Sequence, residues 1–184
     1  MSVRFWPKAV IQQVYKNSAI LVLRKGNYMD THESLDALAF DFFREFARCE
    51  YCLKAVGLRV PNKEYPIADW GALAEEVQDV FNTPPSDQVD EAIKYYLTWP
   101  PKKQVLKDDL LDWKDVKPDH KSLAELVLRL VCRVRNNLFH GGKFNGHWFE
   151  PQRSDELLRH GLSILRTVVE AHPKVKQAYA QRDV

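Results

Sequence analysis

Long apolar runs are missing from this sequence: the longest, Ala19–Leu23, stops at Arg24, far short of the ~20 residues that a membrane-spanning helix requires. A membrane role has no support in the residues. Cysteine is scarce and odd in number, with three in the chain, and no charged-then-apolar leader opens it. Both features argue against secretion and a disulfide framework, and they point to the cytoplasm. Net charge is nearly absent, +2 from 27 basic and 25 acidic side chains, so affinity for an acidic partner has to come from where charges lie rather than from their sum. No Gly- or Ser-rich linker and no internal repeat divides the chain. What remains is a 184-residue sequence with 45% hydrophobic and 28% charged residues. Those are ordinary values for one domain, which at this size buries roughly two-thirds of its unfolded surface and needs neither metal nor disulfide to fold.

Helical periodicity dominates. Asp30-Thr31-His32-Glu33 has capping-box spacing, and a helical pattern follows from Ser34 to about Val56, with Gly57 as its stop. At ~100° per residue, Leu35, Leu38, Phe42, Phe46, Cys49, Leu53 and Val56 form one apolar stripe, with Glu50 on its edge. A carboxylate in that position is costly to bury without a cation, so a buried pair with Arg135 is expected. Further helices are predicted from after Asp69 to Phe81 and from Asp87 to Leu97, each ended by a Pro-Pro pair. Residues 98–120, rich in Lys, Asp and Pro, read as a connector with a helical turn around Leu106 to Trp113. Ser122 and Glu125 form a second capping box and open a helix that runs to Gly141-Gly142; Ser154 is the expected N-cap of a last helix ending near Ala171, closed by Pro173. The fold class is therefore all-α, an antiparallel helical bundle over residues 31–184. Residues 1–30 form an N-terminal arm, with a helical reading for Pro7–Tyr15 and a strand or continuing helix at Ser18–Leu23.

One segment is chemically distinctive: Arg135-Asn136-Asn137-Leu138-Phe139-His140-Gly141-Gly142. It puts a permanent cation, an amide and a group that titrates near neutrality within six residues at a helix end. A guanidinium can hold a phosphodiester through two parallel hydrogen bonds, and an imidazole can take a proton from a 2′-hydroxyl or return one to a leaving oxygen. Five residues advance ~140° around an ideal helix, so Arg135 and His140 share a face only if the last turn unwinds or if a second subunit supplies one of them. The blander reading is a helix C-terminus whose cations complement the dipole and cap carbonyls.

Arg-Asn-x-x-x-His-Gly at the end of a long helix, preceded by an early helix bearing Glu50 and followed by another amphipathic helix, resembles the HEPN superfamily over roughly residues 31–171. The resemblance implies a four- or five-helix up-and-down bundle that dimerises so that two motifs form one composite site. It implies a metal-independent endoribonuclease, cleaving RNA by 2′-OH transesterification, in a toxin–antitoxin or phage-defence setting with a cognate antitoxin. Carried across, Arg135 binds phosphate, Asn136 is the polar residue after it, His140 transfers the proton, and Glu50 orients the arginine. Arg129, Arg133 and Lys143 are RNA-binding candidates, as are Arg153 and the Lys102-Lys103 pair near Trp99. No cofactor and no metal is expected: Cys49-x-x-Cys52 lacks a matching second pair, and Cys132 reads as a core residue. His147, Trp148 and Phe149 follow the glycine pair and read either as a base-stacking loop or as packing. The alternative function is a non-catalytic helical module that binds nucleotide, RNA or a protein.

Overall fold

The computed structural model describes residues 29–139 and 150–181, and the chain divides into two compact units, residues 1–36 and 37–184. The boundary lies inside the first helix; of the first unit, residues 29–36 are described and are helical. Of the expected arm at 1–30, residues 1–28 lie outside the described residues, and Met29 and Asp30 belong to the first helix. Seven helices and one hairpin are described: α1 Met29–Ala55, α2 Trp70–Glu76, α3 Gln78–Asn82, α4 Asp87–Thr98, β1 Lys103–Lys107, β2 Leu110–Lys114, α5 Leu123–Phe139, α6 Pro151–Ala171 and α7 Pro173–Ala180. The chain is thus mostly helical, and among the described residues no helix is long and apolar enough to cross a membrane.

The stripe on α1 buries Phe42, Phe46, Cys49 and Leu53, spaced to stack on one face. Gly57 ends it as expected, at φ 94°. There the Leu58 amide donates to the Leu53 carbonyl at 2.9 Å and the Gly57 amide to Lys54 at 3.4 Å, the paired bonds of a Schellman stop that needs a left-handed residue. The start differs from expectation, because the chain is already helical at Met29 and Asp30 therefore lies inside the helix. Asp69 caps α2 through its carboxylate, which accepts the Gly71 and Ala72 amides at 3.0 Å each. The single helix expected over 70–81 breaks at Val77, whose backbone leaves the helical region at φ −115° and ψ 21°. Leu73, Val77 and Phe81 nonetheless all stay buried, so the break preserves the stripe.

The largest correction is at residues 103–114, where the helical turn expected near Leu106 to Trp113 is a β-hairpin. Asp108 and Asp109 take φ 51° and 61°, the left-handed pair of a two-residue hairpin turn, which Asp tolerates better than most residues. Local turn chemistry overrode a weak helical pattern. At α6 the start moves forward to Pro151, which occupies the first turn without losing a needed donor. Ser154 is consequently a buried residue of that turn and not the N-cap. α6 ends at Ala171 as expected, and Pro173, which follows that end, also opens a further helix, α7. His172 caps α7, its Nδ1 accepting the Val175 amide at 3.2 Å, while its Nε2 lies 2.8 Å from a Glu76 carboxylate oxygen.

Packing centres on α5 and α6: α6 lies against α4 and α7, and α5 against α2, α3, α4 and α6. Buried Tyr96 of α4 donates its hydroxyl to the Leu157 carbonyl at 2.8 Å. Tyr179 of α7 donates to a Glu45 carboxylate oxygen of α1 at 2.5 Å, and the Arg48 guanidinium stacks 4.2 Å from the Tyr179 ring and donates to its carbonyl. Burial, then the Glu45 bond, pushes the Tyr179 phenol up to about 12. Gly161 on α6 marks the tightest approach, since a Cβ there would stand 2.7 Å from both Phe42 Cε2 and Tyr96 Oη. Gly161→Ala gains about 1 kcal/mol of helix propensity but overpacks a site costing about 1–3 kcal/mol. A net loss is expected, read as a lower urea midpoint at unchanged slope; an equal or higher midpoint would contradict this packing.

Candidate functional site

The motif helix is enclosed. Along α5 the side chains of Ala124, Leu126, Val127, Leu128, Leu130, Val131 and Val134 are buried, on more than one face of the cylinder. Most of its polar residues meet protein partners. At the start, Glu125 accepts the Lys121 amide at 2.7 Å, and its own amide donates to Ser122 Oγ at 3.2 Å, the reciprocal arrangement of a capping box shifted by one residue. Arg129 donates to Glu125 Oε1 from Nε at 2.9 Å and from Nη2 at 2.6 Å. The Lys121 amide first, then Arg129, holds the Glu125 carboxyl below its ordinary value.

Farther along, Arg133 donates from Nη1 to the carbonyls of Pro101 at 3.1 Å and Val116 at 2.6 Å, and burial lowers its pKa. Asn137 donates to the Lys102 carbonyl at 2.9 Å and Arg153 of α6 to the Pro100 carbonyl at 2.8 Å. Pro100, Pro101 and Lys102 form the entry to the hairpin. Proline has no N–H to offer, and their carbonyls are taken up by side chains of α5 and α6. The connector expected at 98–120 is thus strapped to the motif helix.

Arg135 stands apart from this strap. Its Nη2 lies 3.5 and 3.4 Å from the two Glu50 oxygens, and its guanidinium carbon is 5.0 Å from the centre of the Phe46 ring, within cation–π range. The expected pair exists, but the expectation that it is buried is corrected: the side chains of Arg135 and Glu50 remain 28% and 27% exposed. Long contacts and partial exposure place its contribution nearer an exposed pair, on the order of 1 kcal/mol, than a fully buried one. Glu50 engages one guanidinium nitrogen, and the other N–H donors of Arg135 have no hydrogen-bond partner among the described residues. Asn136, next to it, is exposed. A cavity of about 470 Å³ opens at this end of α5, lined by Val134, Asn137 and Leu138, by Leu157 and Leu158 of α6, and by Trp113 of β2.

His140, Lys143, His147, Trp148 and Phe149 lie outside the described residues. The structure therefore brings Glu50, Phe46 and Arg135 together, puts Asn136 at the surface beside them, and sets Arg129, Arg133 and Arg153 on internal partners. Phe46 and the Lys102 carbonyl contact were not anticipated; Phe46 is on the Glu50 face of α1, one turn earlier, a spacing that in retrospect signals it. Cys132 is pushed up to about 12 by burial, and burial also raises Cys49, so both are thiols near neutral pH. Among the described residues no His, Cys, Asp and Glu cluster forms a metal site. No protein-family profile, curated protein or solved structure matches the chain.

Because the folded state depresses the Glu125 pKa, its contribution to stability is complete above the ordinary carboxylate range and is lost as pH falls through the folded value. Glu125→Gln should cost roughly 1 kcal/mol near neutrality, and the gap from the parent protein should narrow steadily on acidification. Urea midpoints measured across that range check it; a gap that widens in acid would contradict the assignment.

Proposed function

We propose that this chain is a HEPN-type endoribonuclease that cleaves RNA without a metal ion and acts as a homodimer, in a toxin or phage-defence role held in check by a cognate antitoxin. In this reading the helices form the up-and-down bundle of that superfamily. The observation that carries the proposal is the setting of Arg135: a guanidinium oriented by Glu50 and Phe46, with N–H donors that the other described residues leave unbonded, near the C-terminal end of the helix whose sequence runs on to His140. A held cation with spare donors suits a phosphodiester, because the cost of ordering it is met before substrate arrives. His140 then takes the proton of the 2′-hydroxyl as that oxygen attacks phosphorus. The 5′-oxygen leaves and receives a proton from an imidazole, so the products carry a 2′,3′-cyclic phosphate and a 5′-hydroxyl.

A second reading has its own observation. Arg129, Arg133 and Arg153 are spent on a carboxylate and on carbonyls, which thins the cationic surface a nuclease would use and favours a binding module with Arg135 as its anion contact. Incubation of the purified protein with total RNA in EDTA separates the two. The nuclease reading expects cleavage with cyclic-phosphate ends, lost by about 10²–10⁴-fold in His140→Ala with binding nearly intact, and weakened together with binding in Arg135→Ala. Equal mixtures of these two variants should regain part of the activity if one site draws on both subunits. Binding without cleavage would support the module instead.

A further inference from the structure

Among the described residues, no strand pairs with the outer edge of β2. All five residues of β2 are exposed, with Leu110 at 71% and Leu111 at 70%, and Leu106 across from Leu111 at 72%. An isolated two-stranded hairpin is marginal in water, and an open apolar edge is a template for another strand. The pairing of Lys107 with Leu110 across a two-residue turn makes Leu110, Asp112 and Lys114 the residues that exchange backbone bonds with β1. Leu111 and Trp113 then turn their N–H and C=O groups outward.

The geometry points to a second copy of this chain as the occupant: β2 pairs antiparallel with β2 of the other copy, about a two-fold axis at Trp113, giving a four-stranded sheet. This goes beyond the proposed activity and does not depend on it. Charge selects the register. With Trp113 opposite itself, Asp112 of each copy faces Lys114 of the other, twice. Lys114 faces Lys103 within its own hairpin, a repulsion that the incoming carboxylate offsets. Centring on Asp112 would oppose two carboxylates, and centring on Leu111 would run the strand into the tight turn at Asp108-Asp109. In the single chain, the Trp113 amide donates to the Asp112 carboxylate at 2.8 Å. Pairing exchanges that bond for the other copy's Trp113 carbonyl and frees Asp112 for Lys114. The axis then falls at a residue lining the cavity beside Asn137 and Leu138, so the partner copy borders the candidate site.

Sedimentation velocity of the full chain without RNA, over a micromolar concentration series, tests this. The parent protein should dimerise; Lys114→Asp, which sets two carboxylates against each other across the axis, should weaken the dimer at least tenfold. The double swap D112K/K114D restores two opposite-charge pairs and should recover most of the loss. Circular dichroism melts establish that each variant stays folded, as expected for changes outside the core. A monomeric parent protein, or a dimer indifferent to the single swap, would overturn the inference, as would a double swap no better than the single. Ribonuclease assays are scored separately: cleavage by a dimer indifferent to the swaps would sink this interface alone, and a swap-sensitive dimer that never cleaves RNA would sink the nuclease reading alone.

Discussion

The enclosure of α5 constrains everything around it. A helix packed by α2, α3, α4 and α6 has little solvent to satisfy its polar side chains, and a buried charge or amide without a partner costs several kcal/mol. Five of its polar residues are matched inside the protein, while Asn136 faces solvent. Glu125 meets an amide and Arg129, Arg133 meets two carbonyls, Asn137 meets Lys102, and Arg135 meets Glu50. The Pro-rich strap follows from the same constraint: its carbonyls are useful acceptors because prolines at 100 and 101 bring no competing donors. The hairpin leaves the body from that strap, which is why it sits beside the motif end of the helix.

Much of the helical organisation was legible in the residues. The stripe through Phe42, Phe46, Cys49 and Leu53, the Gly57 stop, the Asp69 cap and the Ser122–Glu125 box are local features, fixed by spacing and by backbone chemistry within a turn. What escaped was decided by competition between local signals. Asp108 and Asp109 set a turn that made strands of residues around them, although Leu106, Leu110 and Trp113 can be fitted to a helical face. Ser154 has the chemistry of a cap, yet Pro151 offered an earlier start that needs no amide, and the serine was drawn into the core. Pro173 ends one helix and begins the next, which proline at a first turn does as readily as it breaks a helix.

The candidate site divides along the same line. Glu50 was traceable because a carboxylate on an apolar edge demands a cation, and the structure supplies Arg135 from 85 positions away. The demand was overstated, since the pair keeps contact with water. Arg129 and Arg133 share a helical face with Asn136, and a sequence cannot say whether such a face meets solvent or another element. Here Arg133 meets the strap, a contact across 17 and 32 positions that no local pattern announces.

We propose that Arg135, held by Glu50 through one guanidinium nitrogen, is the cation that receives a phosphodiester. Arginine side-chain N–H resonances, assigned by Arg→Lys substitution and followed while a 2′-O-methyl RNA that cannot be cleaved is titrated in, address it directly. The Arg135 signal should shift and saturate with the RNA while those of Arg133 and Arg153, engaged with carbonyls, stay nearly still. An Arg135 signal unmoved at saturation, or shifts spread evenly over the arginines, would contradict it.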